Sequence, residues 1–138
     1  LARMFMVSWA SGVQRLYHYA WDDQHRWPSS PNAVRASDNA VIEMNDAGRA
    51  FVQLRQWLVG RKLVSMETGG TGGLWRATLR ASDGAVSYMV WNPGRPAGAP
   101  ASITKPDGVQ RQCRLDGRCA TVSGAGVSVD FRPTLLTP

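Results

Sequence analysis

The sequence lacks long apolar runs and a set of metal-binding side chains. None of its 138 residues belongs to a stretch near the roughly 18 apolar residues that a membrane span needs, and no apolar signal-peptide core follows Leu1. Two cysteines and two histidines form no pattern that is typical of a zinc site. We therefore expect no membrane partner, no metal and no cofactor. Because the first residue is not Met, we also expect residue 1 to be an arbitrary cut.

Lysine and clustered positive charge are also scarce. The net charge is +6, which by itself indicates nucleic acid as a partner. Fourteen of the 16 basic residues are arginines scattered singly along the chain, and Arg61-Lys62 is the only adjacent pair. No basic run exists, and aromatic and basic residues do not alternate as in a single-strand platform. The pattern predicts a solvated arginine-rich surface and no nucleic-acid partner.

The two cysteines lie in the segment Cys-Arg-Leu-Asp-Gly-Arg-Cys, from Cys113 to Cys119. Asp116-Gly117 is a strong turn signal, and a three-residue loop with Gly117 at positive φ would place Cys113 opposite Cys119. Directly opposed residues of two antiparallel strands come close enough for a disulfide. The alternative is a pair of reduced thiols on neighbouring strands. We favour the disulfide, which is typical of exported proteins.

Residues 1–60 combine helical and strand patterns. The sequence predicts a helix over 2–10 that ends at Gly12, an apolar strand over 13–21 and a loop over 22–40. A second helix begins at Asn45-Asp46 and ends at Gly60, since its apolar residues recur at helical spacing. A strand that is apolar on both faces is typical of parallel sheets. This order predicts two units of an α/β barrel cut within a repeat.

Residues 61–138 show a different pattern of short strands. Glycine-containing turns recur every 8 to 12 residues, as expected for an antiparallel sandwich. We therefore predict an α/β barrel fragment followed by a small antiparallel sandwich, with domains at 1–60 and 61–138. The predicted strands cover residues 63–67, 74–80, 85–91, 101–105, 109–113, 118–122 and 127–132.

Three groups of residues resemble one enzyme superfamily. The run from Met6 to Asp22, which ends Tyr-His-Tyr-Ala-Trp-Asp, is similar to the seventh helix and eighth strand of bacterial retaining (β/α)₈-barrel glycoside hydrolases of the cellulase and β-xylosidase-like superfamily. Residues 46–51 and 57–60 resemble their final barrel helix. Residues 73–79, 90–92 and 133–136 look like the β-domain that is appended to the barrel in those enzymes.

The resemblance implies a sugar site without catalytic residues. Such enzymes use two glutamates at the ends of the fourth and seventh strands, both of which would lie before Leu1. The chain has only Glu43 and Glu67, and neither fits. Trp21 matches the tryptophan beneath the bound sugar, whose C–H face complements an aromatic ring. The other expected substrate-binding residues are Asp22, Asp23 and Trp27.

Three functions remain open at this stage. The chain is the C-terminal portion of a secreted or periplasmic glycosidase that acts on an oligo- or polysaccharide and is inactive without the remaining barrel polypeptide. Alternatively, it is a free carbohydrate-binding module that uses Trp75, Trp91 and Trp21, or a structural or interaction domain without a ligand. Core packing is the competing explanation for Trp75 and Trp91, because six tryptophans must largely be buried.

Overall fold

A computed structural model describes residues 1–17, 34–37, 40–70, 73–96 and 99–138. Two helices, α1 (Ala2–Ala10) and α2 (Asp46–Leu58), accompany ten strands in this part of the chain. The strands are β1 (Val34–Ser37), β2 (Ala40–Met44), β3 (Arg61–Gly70), β4 (Leu74–Ala81), β5 (Val86–Trp91), β6 (Ala101–Thr104), β7 (Arg111–Arg114), β8 (Cys119–Thr121), β9 (Gly126–Val129) and β10 (Thr134–Thr137).

Local sequence signals set the ends of both helices. The amide of Val13 donates to the carbonyl of Ser8, and the amide of Gly12, which has φ +81°, donates to that of Trp9. This pattern closes α1 with a left-handed residue at which glycine is favoured. At the start of α2, the Asn45 side chain accepts a 3.0 Å hydrogen bond from the amide of Gly48. The predicted helix boundaries are thus confirmed.

One antiparallel sheet of six strands dominates the molecule. Its strand order is β3-β4-β5-β10-β7-β8, so the last strand of the chain lies between β5 and β7. Leu135 of β10 is opposite Met89 on one side and Cys113 on the other. Two smaller antiparallel pairs, β1-β2 and β6-β9, accompany this sheet. The strand pairing is therefore mostly between segments that are distant in sequence.

Both faces of the six-stranded sheet are covered by apolar packing. On one face, Met89 and Trp91 belong to a core that includes Met6 of α1 and Trp57 of α2. On the other face, the intervening Val90 packs with valines of the β6-β9 region. Alternate residues of a strand point to opposite faces, so β5 contributes to both cores. The result is a three-layer arrangement with helices, sheet and a two-stranded ribbon.

The predicted α/β barrel fragment is wrong. Every strand pair in the described residues is antiparallel, and the sheet that they form does not close into a barrel. Residues 13–17 of the predicted parallel strand form no strand, and Tyr17 is 83% exposed. The chain leaves α2 through Gly60 directly into β3, which pairs antiparallel with β4. An amphipathic helix packs equally well on an antiparallel sheet, so its apolar stripe did not identify a barrel.

The antiparallel part of the prediction is confirmed. Each of the seven strands predicted after residue 60 overlaps an observed strand, and the sheet with its covering ribbon is sandwich-like. Strand β10 was not predicted, although its residues lie in the sheet interior. The predicted loop over 22–40 is wrong at β1 and at the first residue of β2. The proposed division at residue 60 stays a prediction.

Trp57 tests whether the helices and the sheet form one cooperative unit. Its side chain is 3% exposed and lies in the core that α2 shares with β4 and β5. We expect Trp57→Ala to lower the free energy of unfolding by about 3 to 5 kcal/mol, because it leaves a large cavity under the helix layer. Urea unfolding followed by far-UV circular dichroism measures this change.

The exposed neighbour Gln56 supplies the control. Gln56→Ala should change the free energy of unfolding by less than about 0.5 kcal/mol. A single transition for all probes is expected in both variants. If Trp57→Ala lost its helical circular dichroism signal while the sheet unfolded at the same urea concentration as before, the helices and the sheet would not share a core.

Candidate functional site

The expected sugar-contacting residues Trp21, Asp22, Asp23 and Trp27 lie within residues 18–33, outside the described residues. Their assignment stays a prediction. The structure instead positions a different group of polar side chains, around a cleft that the sequence did not indicate.

Trp75 and Trp91 form a packed pair in the core beneath the helices. Their ring centroids are 5.7 Å apart at a tilt of 46°, and Trp91 is 1% exposed. Trp75 is partly buried against the same core. A ring that stacks on a sugar must expose one face to solvent, which Trp91 does not do. Core packing, the alternative considered for these two residues, therefore describes Trp91.

An open cleft of about 930 Å³ lies where three parts of the fold meet. One side is the first turn of α2, the second is the β7-β8 hairpin, and the third is the chain from β9 into β10. This volume falls within the usual range of small-molecule sites. The lining residues are Asp46, Arg49, Ala50, Pro100, Gln112, Arg114, Leu115, Asp116, Arg118, Ser128, Asp130, Arg132, Pro133 and Thr134.

The hairpin beside the cleft has the geometry expected from its sequence. The amide of Arg114 donates to the carbonyl of Arg118 at 2.8 Å, and Gly117 has φ +86°. Cys113 is opposite Cys119, and a disulfide joins them with their Cα atoms 4.1 Å apart. The predicted disulfide is thus confirmed. It connects the edge strand β8 to a cysteine that is buried in the core.

The tip of this hairpin also contacts α2. A Cβ atom built on Gly117 would lie 3.2 Å from Oε1 of Gln53, so the glycine permits a close approach. On the opposite side of the hairpin, Nε2 of Gln112 donates to the carbonyl of Ser128 at 2.8 Å. These contacts and the disulfide fix the positions of Arg114 and Arg118 relative to α2 and β9.

Four arginines and three aspartates give the cleft an excess of positive charge. Arg49 donates to Asp46 at 2.7 Å, and Nε of Arg118 lies 3.8 Å from Asp116. The described residues contain one further ion pair, Arg76–Glu67, which lies outside the cleft lining. Arg114 and Arg132 therefore have no ion-pair partner in the part of the chain that the structure describes. The guanidinium of Arg132 lies 5.8 Å from the centroid of the Phe131 ring.

The aspartates of the cleft already serve local structure. Asp116 accepts the amide of Arg118 at 3.0 Å, and Asp130 accepts that of Arg132 at 2.7 Å, both as turn-forming bonds. The Asp46 side chain is 99% exposed and bonded to Arg49. A glycosidase acid is instead typically held in an apolar pocket that keeps its proton. Each of the three carboxylates in the cleft lining thus has a partner within its own turn or helix.

Two further features concern metals and membranes. Within the described ranges, no three His, Cys, Asp or Glu side chains come together as a metal site. Neither described helix has the length and apolarity required to cross a membrane.

Comparison with known protein families, curated proteins and solved structures finds no match for this chain. The assignment of function therefore depends on the residues themselves.

The sequence did not predict the cleft because its residues come from four separate segments, around positions 46–50, 100, 112–118 and 128–134. Asp46 and Arg49 precede the hairpin residues by more than 60 positions, and Arg132 follows them. The scattered arginines indicated only a solvated surface. A usable signal was the cysteine pair, which identified the hairpin that carries Arg114 and Arg118.

The disulfide should contribute measurably to stability. Replacing both cysteines, Cys113→Ala with Cys119→Ala, frees a seven-residue loop in the unfolded chain. We expect the free energy of unfolding to fall by about 2 kcal/mol, since the closed loop is short. Urea unfolding at equilibrium gives this value.

Reduction provides an independent control for this prediction. A thiol reductant should destabilise the unmodified chain to a similar extent and leave the double variant unchanged. Equal stability of the oxidised chain and the double variant would show that the crosslink does not constrain the unfolded state.

Proposed function

We propose that this chain is a non-catalytic C-terminal part of a bacterial retaining glycoside hydrolase that acts on O-glycosidic bonds. The resemblance of residues 73–79, 90–92 and 133–136 to the β-domain appended to such enzymes supports this assignment. The antiparallel architecture after residue 60 agrees with an accessory β-domain. Trp21, Asp22, Asp23 and Trp27 would contact the saccharide. The catalytic carboxylates would belong to another part of the enzyme.

The observation that carries the proposal is the composition of α1. Seven of the nine residues of this helix are apolar, and Arg3 and Ser8 are the exceptions. Met6 is fully buried against the sheet, whereas Met4 and Val7 are 42% and 38% exposed. Exposed apolar side chains that lie next to each other are typical of a surface that packs against a partner. The outer side of α1 is therefore suited to packing against the remaining enzyme.

The disulfide supports a secreted or periplasmic location. Disulfides persist in oxidising compartments and are rare in the cytosol. The crosslink lies on an edge hairpin with Cys119 exposed, where a reducing environment would have access to it. Export also agrees with the polysaccharide substrate that the resemblance implies.

The proposal predicts different behaviour for this chain and for the enzyme that contains it. The isolated 138-residue chain should not hydrolyse any of a panel of aryl glycosides. The full-length enzyme should hydrolyse at least one of them. Within that enzyme, Met4→Glu with Val7→Glu should lower thermal stability, because two charges enter an apolar interface. Activity assays and thermal unfolding test these expectations.

Exposed glutamines provide matched charge controls. Gln14→Glu with Gln56→Glu adds the same charge at exposed positions and should leave both chain and enzyme unchanged. In the isolated chain, the Met4 and Val7 substitutions should also have little effect on stability. Turnover by the isolated chain that is lost on changing one of its own acidic residues would contradict the proposal.

The predicted sugar contacts of Trp21 and Trp27 favour a second candidate, a free carbohydrate-binding module, whose site differs from the cleft because no tryptophan is among the described residues that line the cleft. In that case saccharides should change tryptophan fluorescence through Trp21 or Trp27, because Trp57 and Trp91 are buried. We expect Trp21→Ala to remove most of the change, whereas Trp75→Phe, at a partly buried core position, should retain it. Titration with a polysaccharide panel measures the effect, and no response to any member would exclude this candidate.

A further inference from the structure

Two guanidinium groups of the cleft are available to a ligand. Arg49 and Arg118 have acidic neighbours, but Arg114 and Arg132 belong to none of the ion pairs among the described residues. Both are exposed and both line the cleft. They share the cleft with the carboxylates of Asp46, Asp116 and Asp130 but form an ion pair with none of them, so each guanidinium can pair with an anionic group of a ligand.

The strand register places these two arginines at the same end of neighbouring strands. Arg114 is opposite Thr134 across the β7-β10 pair. Arg132 lies two residues before Thr134, in the bend that precedes β10. Neighbouring strands are separated by about 4.8 Å. Arg114 at the end of β7 and Arg132 just before β10 both line the cleft, where one extended ligand can contact both.

The rest of the cleft combines apolar surface with local polar bonds. Leu115, Ala50 and Pro133 supply apolar atoms that suit the C–H face of a sugar ring. The amide group of Gln112 is already bonded to the Ser128 carbonyl. The first turn of α2 is likewise capped by Asn45, so that helix terminus is not the binding feature. The anion partners are the two guanidinium groups.

We propose that this cleft binds an acidic oligosaccharide, meaning a sugar chain that carries carboxylate or sulfate groups, and that Arg114 and Arg132 pair with those groups. The proposal rests on the proposed function, which makes a glycan the ligand. A planar guanidinium forms two parallel hydrogen bonds to a carboxylate or a sulfate, and these charge-assisted bonds are stronger than neutral ones. The apolar residues position the rings, and the arginines select for charge.

Calorimetric titration of the whole chain with four hexamers tests this inference. The probes are hexagalacturonate, a κ-carrageenan hexasaccharide, cellohexaose and hexaglutamate. They present sugar carboxylates, sugar sulfates, a neutral sugar and a carboxylate polymer without sugar. We expect one or both acidic sugars to bind with at least tenfold lower Kd than cellohexaose and hexaglutamate. Their binding should weaken as salt rises.

Substitutions identify the residues responsible. Arg114→Gln and Arg132→Gln should each raise the Kd for the acidic sugar roughly tenfold, the effect of losing one charge-assisted pair. The Kd of Arg114→Lys should lie between those of the unmodified chain and Arg114→Gln, since lysine keeps the positive charge but cannot form two parallel hydrogen bonds. The control Arg80→Gln removes an equal charge from an exposed site outside the cleft and should change the Kd less than twofold. Circular dichroism verifies that each variant folds.

The competing outcomes separate this inference from the proposed function. The inference would be overturned if hexaglutamate or cellohexaose bound as tightly as the acidic sugars. It would also be overturned if Arg80→Gln raised the Kd for the acidic sugar as much as Arg114→Gln or Arg132→Gln does. Absence of binding to both acidic sugars would also overturn it. Glycosidase activity of the full-length enzyme would then leave the proposed function intact, whereas its absence would remove both.

Discussion

The fold depends on covering both faces of the six-stranded sheet. Adjacent residues of β5 show why, since Met89 and Trp91 face the helices while Val90 faces the β6-β9 ribbon. Neither face could remain in water without exposing large apolar side chains. The two helices are therefore part of the core rather than an attachment to it. This requirement also places the first turn of α2 beside the β7-β8 hairpin, which creates the cleft.

Sequence reasoning identified features that local chemistry decides. The Asn45 cap, the stop at Gly12 and the Asp116-Gly117 turn each depend on a few neighbouring residues, and the structure agrees with all three. The disulfide followed from the same hairpin geometry. The short antiparallel strands after residue 60 could be predicted because glycine turns separate them. These signals are independent of what the chain packs against.

The same reasoning was wrong where the structure of a segment depends on contacts with residues that are distant in sequence. Apolar residues in 13–17 resembled a buried parallel strand, but strand pairing depends on neighbours that no local pattern identifies. The four-residue β10, Thr-Leu-Leu-Thr after a proline, gave too short a signal to predict, yet it occupies the sheet interior between β5 and β7. The arginine cleft was not predicted for the same reason, since residues near positions 46, 114 and 132 come together only in the folded chain.

Rigidity of the hairpin links the stability of the fold to the proposed binding site. Arg114 and Arg118 belong to an edge hairpin, and edge elements are commonly the first to open. Here the disulfide joins the edge to the buried Cys113, Gln112 bonds to the ribbon strand β9, and Gly117 lies against Gln53. Side chains held in this way lose less freedom when a ligand binds. The backbone that carries Arg114 is therefore already ordered before a ligand binds, and only its side chain remains to be fixed.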